Sequence, residues 1–285
     1  MNNTIQIQAG NRFFKIANSW YGVPEDHFVH IVADMQLFSV GQLTADEVKL
    51  RHVMRELGID RADSLSQQQI ENLLSVAGMV TFLFDRDGNQ PSFRFCRQFI
   101  PTVRLNDGSE ARGYGIVFDS GIVACSLTAR QYADAVDACD GGKVYGRMMA
   151  SILYYDGQYD PYRAMSRIRL FDGLPENVIN GIVIVFNAFV DTLFSGTYLS
   201  LLSRLRGGGK GKFKRSMADH FADLSKMGYG SIAELERMNV IDYLSLLYKN
   251  LVDNVLTLRG MKMPTPEIAS KVGLPVEDVN RIVGI

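Results

Sequence analysis

The chain has 285 residues, with 30 Lys+Arg against 31 Asp+Glu. That length can bury a sizeable core, as one large domain or two smaller ones, and the near-neutral balance argues against a nucleic-acid binder whose whole surface is basic. Cys96, Cys125 and Cys139 form no Cys-x-x-Cys and no His/Cys cluster, so neither a zinc site nor a disulfide framework is expected and a reducing cytoplasm fits.

The N-terminal residues lack the basic start, apolar stretch and small-residue cleavage site of a signal peptide. They predict a short strand, Thr4 to Gln8, followed by helices. Pro24 suits a helix start, and Phe28, Ile31, Val32 and Met35 follow at helical spacing. Thr44 and Glu47 form a capping box that opens a helix burying Val48, Val53 and Leu57. A third amphipathic helix is expected around "SQQQIENLLSVAG". From Met79 the pattern changes: "VTFLF", "SFRFCRQF" and "TVRLNDGSEARGYGIVF" are aromatic and β-branched, separated by the turn signals "DRDGNQP" and "NDGSE". A small antiparallel meander or hairpin pair is expected there. "DRDGN" resembles the start of a calcium loop, but Cys96 stands at the twelfth position, where a bidentate glutamate is required, so it reads as a turn.

From Ser126 onward nearly everything reads as helix. The apolar run from Asn177 to Leu202 has about the length of a membrane span. Asp191 near its middle would cost about 2.5–3.5 kcal/mol in a bilayer, and Asn180, Asn187, Ser195 and Thr197 add to that, so a helix buried in a helical core is expected and no membrane partner. "RLRGGGKGKFKR", residues 204–215, holds six cations, four glycines and no acid. It predicts a flexible loop, with Arg204, Arg206, Lys210, Lys212, Lys214 and Arg215 available to an anion or nucleic acid. It is no phosphate-binding P-loop, because Phe213 follows the Gly-Lys pair and a helix precedes it.

The last stretch, "PTPEIASKVGLPVEDVNRIVGI", predicts a helix-turn-helix-like hairpin. Ile268, Ala269, Val272, Val279 and Ile282 fall at packing positions, and Gly273 stands at the turn, where a positive φ is needed. Glu277, Asp278 and Arg281 are expected to face solvent, with Thr265 as cap and Pro266 at the first helical position. The second helix would turn Glu277 and Asp278 toward a polyanion, and no third helix or wing follows before Ile285, so the hairpin reads as a packing or docking module. Two helices this short must lean on the body or on a second chain.

No catalytic set is apparent. His27 and His30 share a helix face near Glu25 and Asp26 without a third metal ligand, while His52 and His220 stand alone. Asp134, Asp137 and Asp140 recur every three residues, the spacing of a solvated helix face. No Gly-x-Ser-x-Gly, His-Glu-x-x-His or Gly-x-Gly-x-x-Gly motif occurs. No enzyme, cofactor or metal is expected.

One longer stretch carries a resemblance. Gln131, Tyr132, Asp134 and Ala135, then Ile152, Leu153, Tyr154, Gly157, Tyr159 and Asp160, then Phe171, Leu174 and Pro175 recur at the spacing found in proteins of phage and prophage virion-gene clusters of Bacteroidetes. The later "MGYGSIAELERMNVIDYLSLL" is similar to those proteins too, so the resemblance covers residues of about 124–250. It implies a virion-module protein similar to tail assembly chaperones, located in the host cytoplasm or the virion. Its partners would be other phage-type structural or assembly proteins, a homo-oligomer being compatible. The 12 Met, 16 Phe and 12 Tyr suit adaptable contacts. The alternative is a DNA-associated protein using the basic segment and the C-terminal hairpin together.

The expected fold is α+β, mostly α-helical. It comprises an N-terminal helical region (1–78), a small antiparallel β region (79–125), a helical core (126–203), the basic loop (204–215), a helical region (216–263) and the C-terminal hairpin (264–285).

Overall fold

The computed structural model describes residues 3–9, 12–60, 65–139, 145–207 and 219–284. The fold is mostly helical, with three separate two-stranded antiparallel sheets among the described residues. The chain forms two compact units, one made of Met1–Ile100 and Leu174–Ala188, the other of Pro101–Gly173 and Phe189–Ile285.

The first unit opens with a hairpin, β1 (Thr4–Ala9) and β2 (Arg12–Ala17), pairing Ile5 with Ile16 and Ile7 with Phe14. The second strand was not expected from sequence. Its alternation is blurred by Phe13 and Phe14 side by side, and its end is fixed by burial of Ile16 and Ala17. Helix α1 (Glu25–Ser39) starts after Pro24, with Glu25 and Asp26 in the first turn, where carboxylates complement the helix dipole. Helix α2 (Ala45–Glu56) carries the expected capping box: the Glu47 amide donates to Thr44 Oγ1 at 3.2 Å and the Thr44 amide to Glu47 Oε2 at 2.7 Å. Helix α3 (Gln67–Gly78) repeats the device with Ser66 and Gln69.

"VTFLF" and "SFRFCRQF" do not form strands. One isolated bridge, Phe84 to Pro91, closes the turn between them. Their aromatic side chains gather around Trp20 instead, with Phe82, Phe93, Phe95 and Phe99 at ring-centroid distances of 5.1, 5.6, 5.2 and 6.2 Å. Trp20 Nε1 donates to the Ser92 carbonyl at 2.8 Å, and Phe28 stacks on Phe99 at 4.3 Å. Burial in this cluster gives the segment its aromatic pattern without a ladder. Residues Leu174–Ala188 complete the unit: a Cβ at Gly181 would sit 2.8 Å from Ile100 Cδ1 and 3.3 Å from Phe28 Cε1, so glycine permits the close approach.

The second unit begins with two hairpins, β3 (Thr102–Arg104) with β4 (Glu110–Arg112), and β5 (Ile116–Asp119) with β6 (Ile122–Cys125). Gly108 and Gly121 supply the positive φ, +83° and +84°, of their turns. Helices α4 (Ala129–Cys139), α5 (Gly146–Leu153) and α6 (Pro161–Ser166) follow. Helix α7 (Glu176–Ser195), whose residues up to Ala188 belong to the first unit, is long and apolar enough to cross a membrane by length and composition, and just over half of its most apolar stretch is buried within the protein. After α8 (Ser200–Gly207) and α9 (Asp219–Lys226) come α10 (Ile232–Arg237) and the long α11 (Val240–Gly260). The short helices α12 (Thr265–Val272) and α13 (Val276–Val283) end the chain, each leaning on the other and on α11. Tyr132 of α4 and Leu244 and Tyr243 of α11 are buried in this unit, the last with its ring 4.9 Å from Phe221.

Candidate functional site

A recess in the first unit lies between α1 and α2, a cleft of about 760 Å³. Helical spacing makes it: Asp26, His27 and His30 fall on one side of α1, and Glu47, Leu50, Arg51, Met54 and Arg55 recur at three- and four-residue intervals along α2. The loop Gly58–Asp60 closes one end. Leu50, Met54 and Ile59 give it an apolar component, while the cations and acids roughly balance.

The charged wall is held from behind. Asp34 is buried on α1, and its carboxylate accepts from Arg51 Nη1 at 3.0 Å and from Arg55 Nη2 at 2.8 Å. His27 Nδ1 lies 3.0 Å from Glu56 Oε1. Each cation is thereby fixed in direction, the requirement for a preorganised binding wall. Asp34 was not singled out from sequence, although it interrupts the apolar positions Ile31, Val32 and Met35. His27 and His30 do share the cleft as their spacing predicts. Among the described residues no group of three or more His, Cys, Asp or Glu is arranged to hold a metal ion. A cleft of mixed charge with apolar patches suits a polypeptide segment better than a single anion.

Behind α2, His52 is fully buried, with Nε2 donating to the Ala17 carbonyl at 3.0 Å and its ring edge-on to Phe82. Burial pushes its pKa below the ordinary 6.5, against the Ala17 hydrogen bond and the Glu56 carboxylate, which favour the charged ring.

In the second unit, Asp134 corrects the expectation of a solvated face. Its carboxylate is only 15% exposed and accepts from Arg130 Nε at 2.8 Å and from the Tyr159 hydroxyl at 2.8 Å, while Arg130 Nη1 donates to Glu236 at 2.7 Å. Burial raises the Asp134 pKa, opposed by Tyr159 and Arg130, and burial raises that of Tyr159 as well. The cluster joins α4, α10 and the segment before α6. Spacing put Asp134 and Asp137 on one side of α4, but α10 decided that Asp134 is covered; Asp140 lies outside the described residues.

The C-terminal hairpin turns at Gly273, φ +72°. Ile268 and Val279 are fully buried and Ala269 is buried, whereas Val272 and Ile282 are half-buried, being nearer the ends of two short helices. Two expectations are corrected. Asp278 is buried, not solvent-facing, with Arg281 Nη1 3.5 Å from its carboxylate. Pro264, not Thr265, occupies the cap position, so Thr265 already belongs to the helix. As expected of two helices this short, the hairpin leans on the body: the preceding long helix α11 supports both of its helices. Arg204 and Arg206 belong to α8, since the helix runs on to Gly207 where a loop was expected. Lys210, Lys212, Lys214 and Arg215, with the side chains of Arg204 and Arg206, lie outside the described residues.

No protein-family model, curated protein or solved structure matches this chain.

Proposed function

We propose that this is a non-enzymatic, phage-type structural or assembly protein that works through protein–protein contact. The observation that carries the reading is the β5–β6 hairpin. Val117 pairs with Ala124 and Asp119 with Ile122, so these four share one face. Val117 is 62% and Ile122 73% exposed, and Ala124 is exposed too. A two-stranded hairpin is marginal on its own, and exposed Val117 and Ile122 beside Ala124, with Asp119 at the rim, are a surface a partner would bury. The resemblance of residues 124–250 to virion-cluster proteins supports the same reading. Such a protein would act in the host cytoplasm or the virion.

The test is co-purification with the proteins encoded beside it, read for head and tail components. Capture of one of them, lost in Val117→Asp/Ile122→Asp while the melting temperature holds, supports the reading. Equal capture by that variant, no capture by the unaltered protein, or turnover of a substrate overturns it.

A second reading, DNA association, is favoured by the short helices α12 and α13 packing on each other and on α11, a grouping of three helices compatible with a helix-turn-helix. It predicts retention on duplex DNA that weakens with salt by about 0.9 counterion per phosphate contacted, and a flatter slope in a Lys210→Ala/Lys212→Ala/Lys214→Ala/Arg215→Ala variant. Absence of retention at low salt removes it. Glu277, exposed at the start of α13, opposes it.

A further inference from the structure

We propose that the outer edge of β1 pairs antiparallel with β1 of a second copy of this chain, joining two hairpins into one four-stranded sheet. This inference stands apart from the proposed function and does not need it. Of the two strands, β2 is anchored: Ile16 and Ala17 are buried and the strand leans on α2. β1 is the outer strand.

The ladder shows which backbone groups β1 turns outward. The Asn18 amide donates to the Asn3 carbonyl at 2.8 Å, and these two residues continue the register of the hairpin. Hydrogen-bonded and non-bonded pairs alternate in an antiparallel ladder, so Ile5/Ile16 and Ile7/Phe14 exchange bonds, while Thr4 and Gln6 direct their amides and carbonyls away from β2. Gln6 is exposed, and its backbone groups meet no other backbone group among the described residues.

The chemistry of the two edges differs. β2 carries Arg12 and Lys15, the cations that keep an edge from pairing, whereas Thr4–Ala9 holds no charge and no proline. β1 is also self-complementary. Antiparallel pairing centred on Gln6 sets Gln6 against Gln6, Ile5 against Ile7 and Thr4 against Gln8, so every apolar residue meets an apolar one on the same face. No charge opposes a charge, because Arg12 and Lys15 stay on the outer strands of the joined sheet. Ile7 and Phe14, half-buried in one copy, would continue an apolar face across the two-fold axis.

Sedimentation equilibrium of the full chain over a range of concentrations reads the outcome. The unaltered protein is expected to dimerise. Gln6→Glu sets like charges against each other at the axis while facing Lys15 favourably across its own hairpin, and Gln6→Pro deletes an outward amide without touching a bond to β2, so each should weaken the dimer by about tenfold or more while helical content and melting of the monomer persist. Mixing Gln6→Lys with Gln6→Glu should restore a dimer containing one copy of each, which a merely misfolded hairpin would not do. Val117→Asp/Ile122→Asp, the variant that tests the proposed function, should remain dimeric. A monomer at every concentration, dimers unaffected by the Gln6 variants, or no rescue in the mixture overturns the inference.

Discussion

Replacing Asp34 by Ala removes a buried carboxylate that accepts two charged hydrogen bonds, and the two arginines are left unequally placed. The Arg55 side chain is 21% exposed and the Arg51 side chain 48%. Arg51 can therefore turn into water, while Arg55 stays largely desolvated without its partner. Breaking a buried ion pair costs about 3–5 kcal/mol, and the escape of Arg51 puts Asp34→Ala near the lower end, at about 3 kcal/mol. With an m-value of about 3 kcal/mol/M, the urea midpoint of the first unit should fall by about 1 M. The geometry also predicts how the loss divides. A double-mutant cycle of Asp34 with Arg55 should give a coupling of about 1.5–2 kcal/mol, and the cycle with Arg51 less than about 1 kcal/mol, because a half-exposed pair is screened. Tryptophan fluorescence reports this unit directly, since Trp20, the chain's one tryptophan, lies in its core. A negligible midpoint shift in Asp34→Ala, or a larger coupling to Arg51 than to Arg55, would refute the idea that burial of this carboxylate organises the wall of the cleft.

Acid should weaken the first unit through His52. Burial lowers its folded-state pKa below 6.5, so on acidification the unfolded chain binds the proton first; stability present above pH 6.5 is lost as pH falls below it, and His52→Gln should show a shallower decline in urea midpoint between pH 7.5 and 5.5. In the C-terminal hairpin, Val279→Asp should cost about 3 kcal/mol or more because Val279 is fully buried, and Arg281→Ala should cost less, about 1 kcal/mol, because its exposed guanidinium is a screened partner of the buried Asp278 carboxylate; thermal melting of both variants checks the ranking. Thr44→Ala should cost about 1 kcal/mol by uncapping α2, and amide exchange should rise first in that helix's opening turn.

Sequence alone determined what depends on neighbours along the chain. The capping box of Thr44 and Glu47, the strand at Thr4, the turn at Gly273 and the helix after Pro24 each arise within a few residues, because orphan amides, pleat alternation and positive φ are satisfied locally. The mostly helical α+β class followed from those signals. Only the tertiary structure decided which polar groups on these elements are covered. Asp34 is buried by arginines 17 and 21 positions away, and Arg130, which holds Asp134, is itself bound by Glu236, 106 positions along the chain. The aromatic run after Met79 likewise looked like strands until Trp20 gave its rings a common place to bury. The cleft was only half legible: His27 and His30 were visible as a pair, but their surroundings come from α2. Helical spacing fixes which residues share a face, and only the partner packed against that face determines whether a carboxylate on it meets water or an arginine.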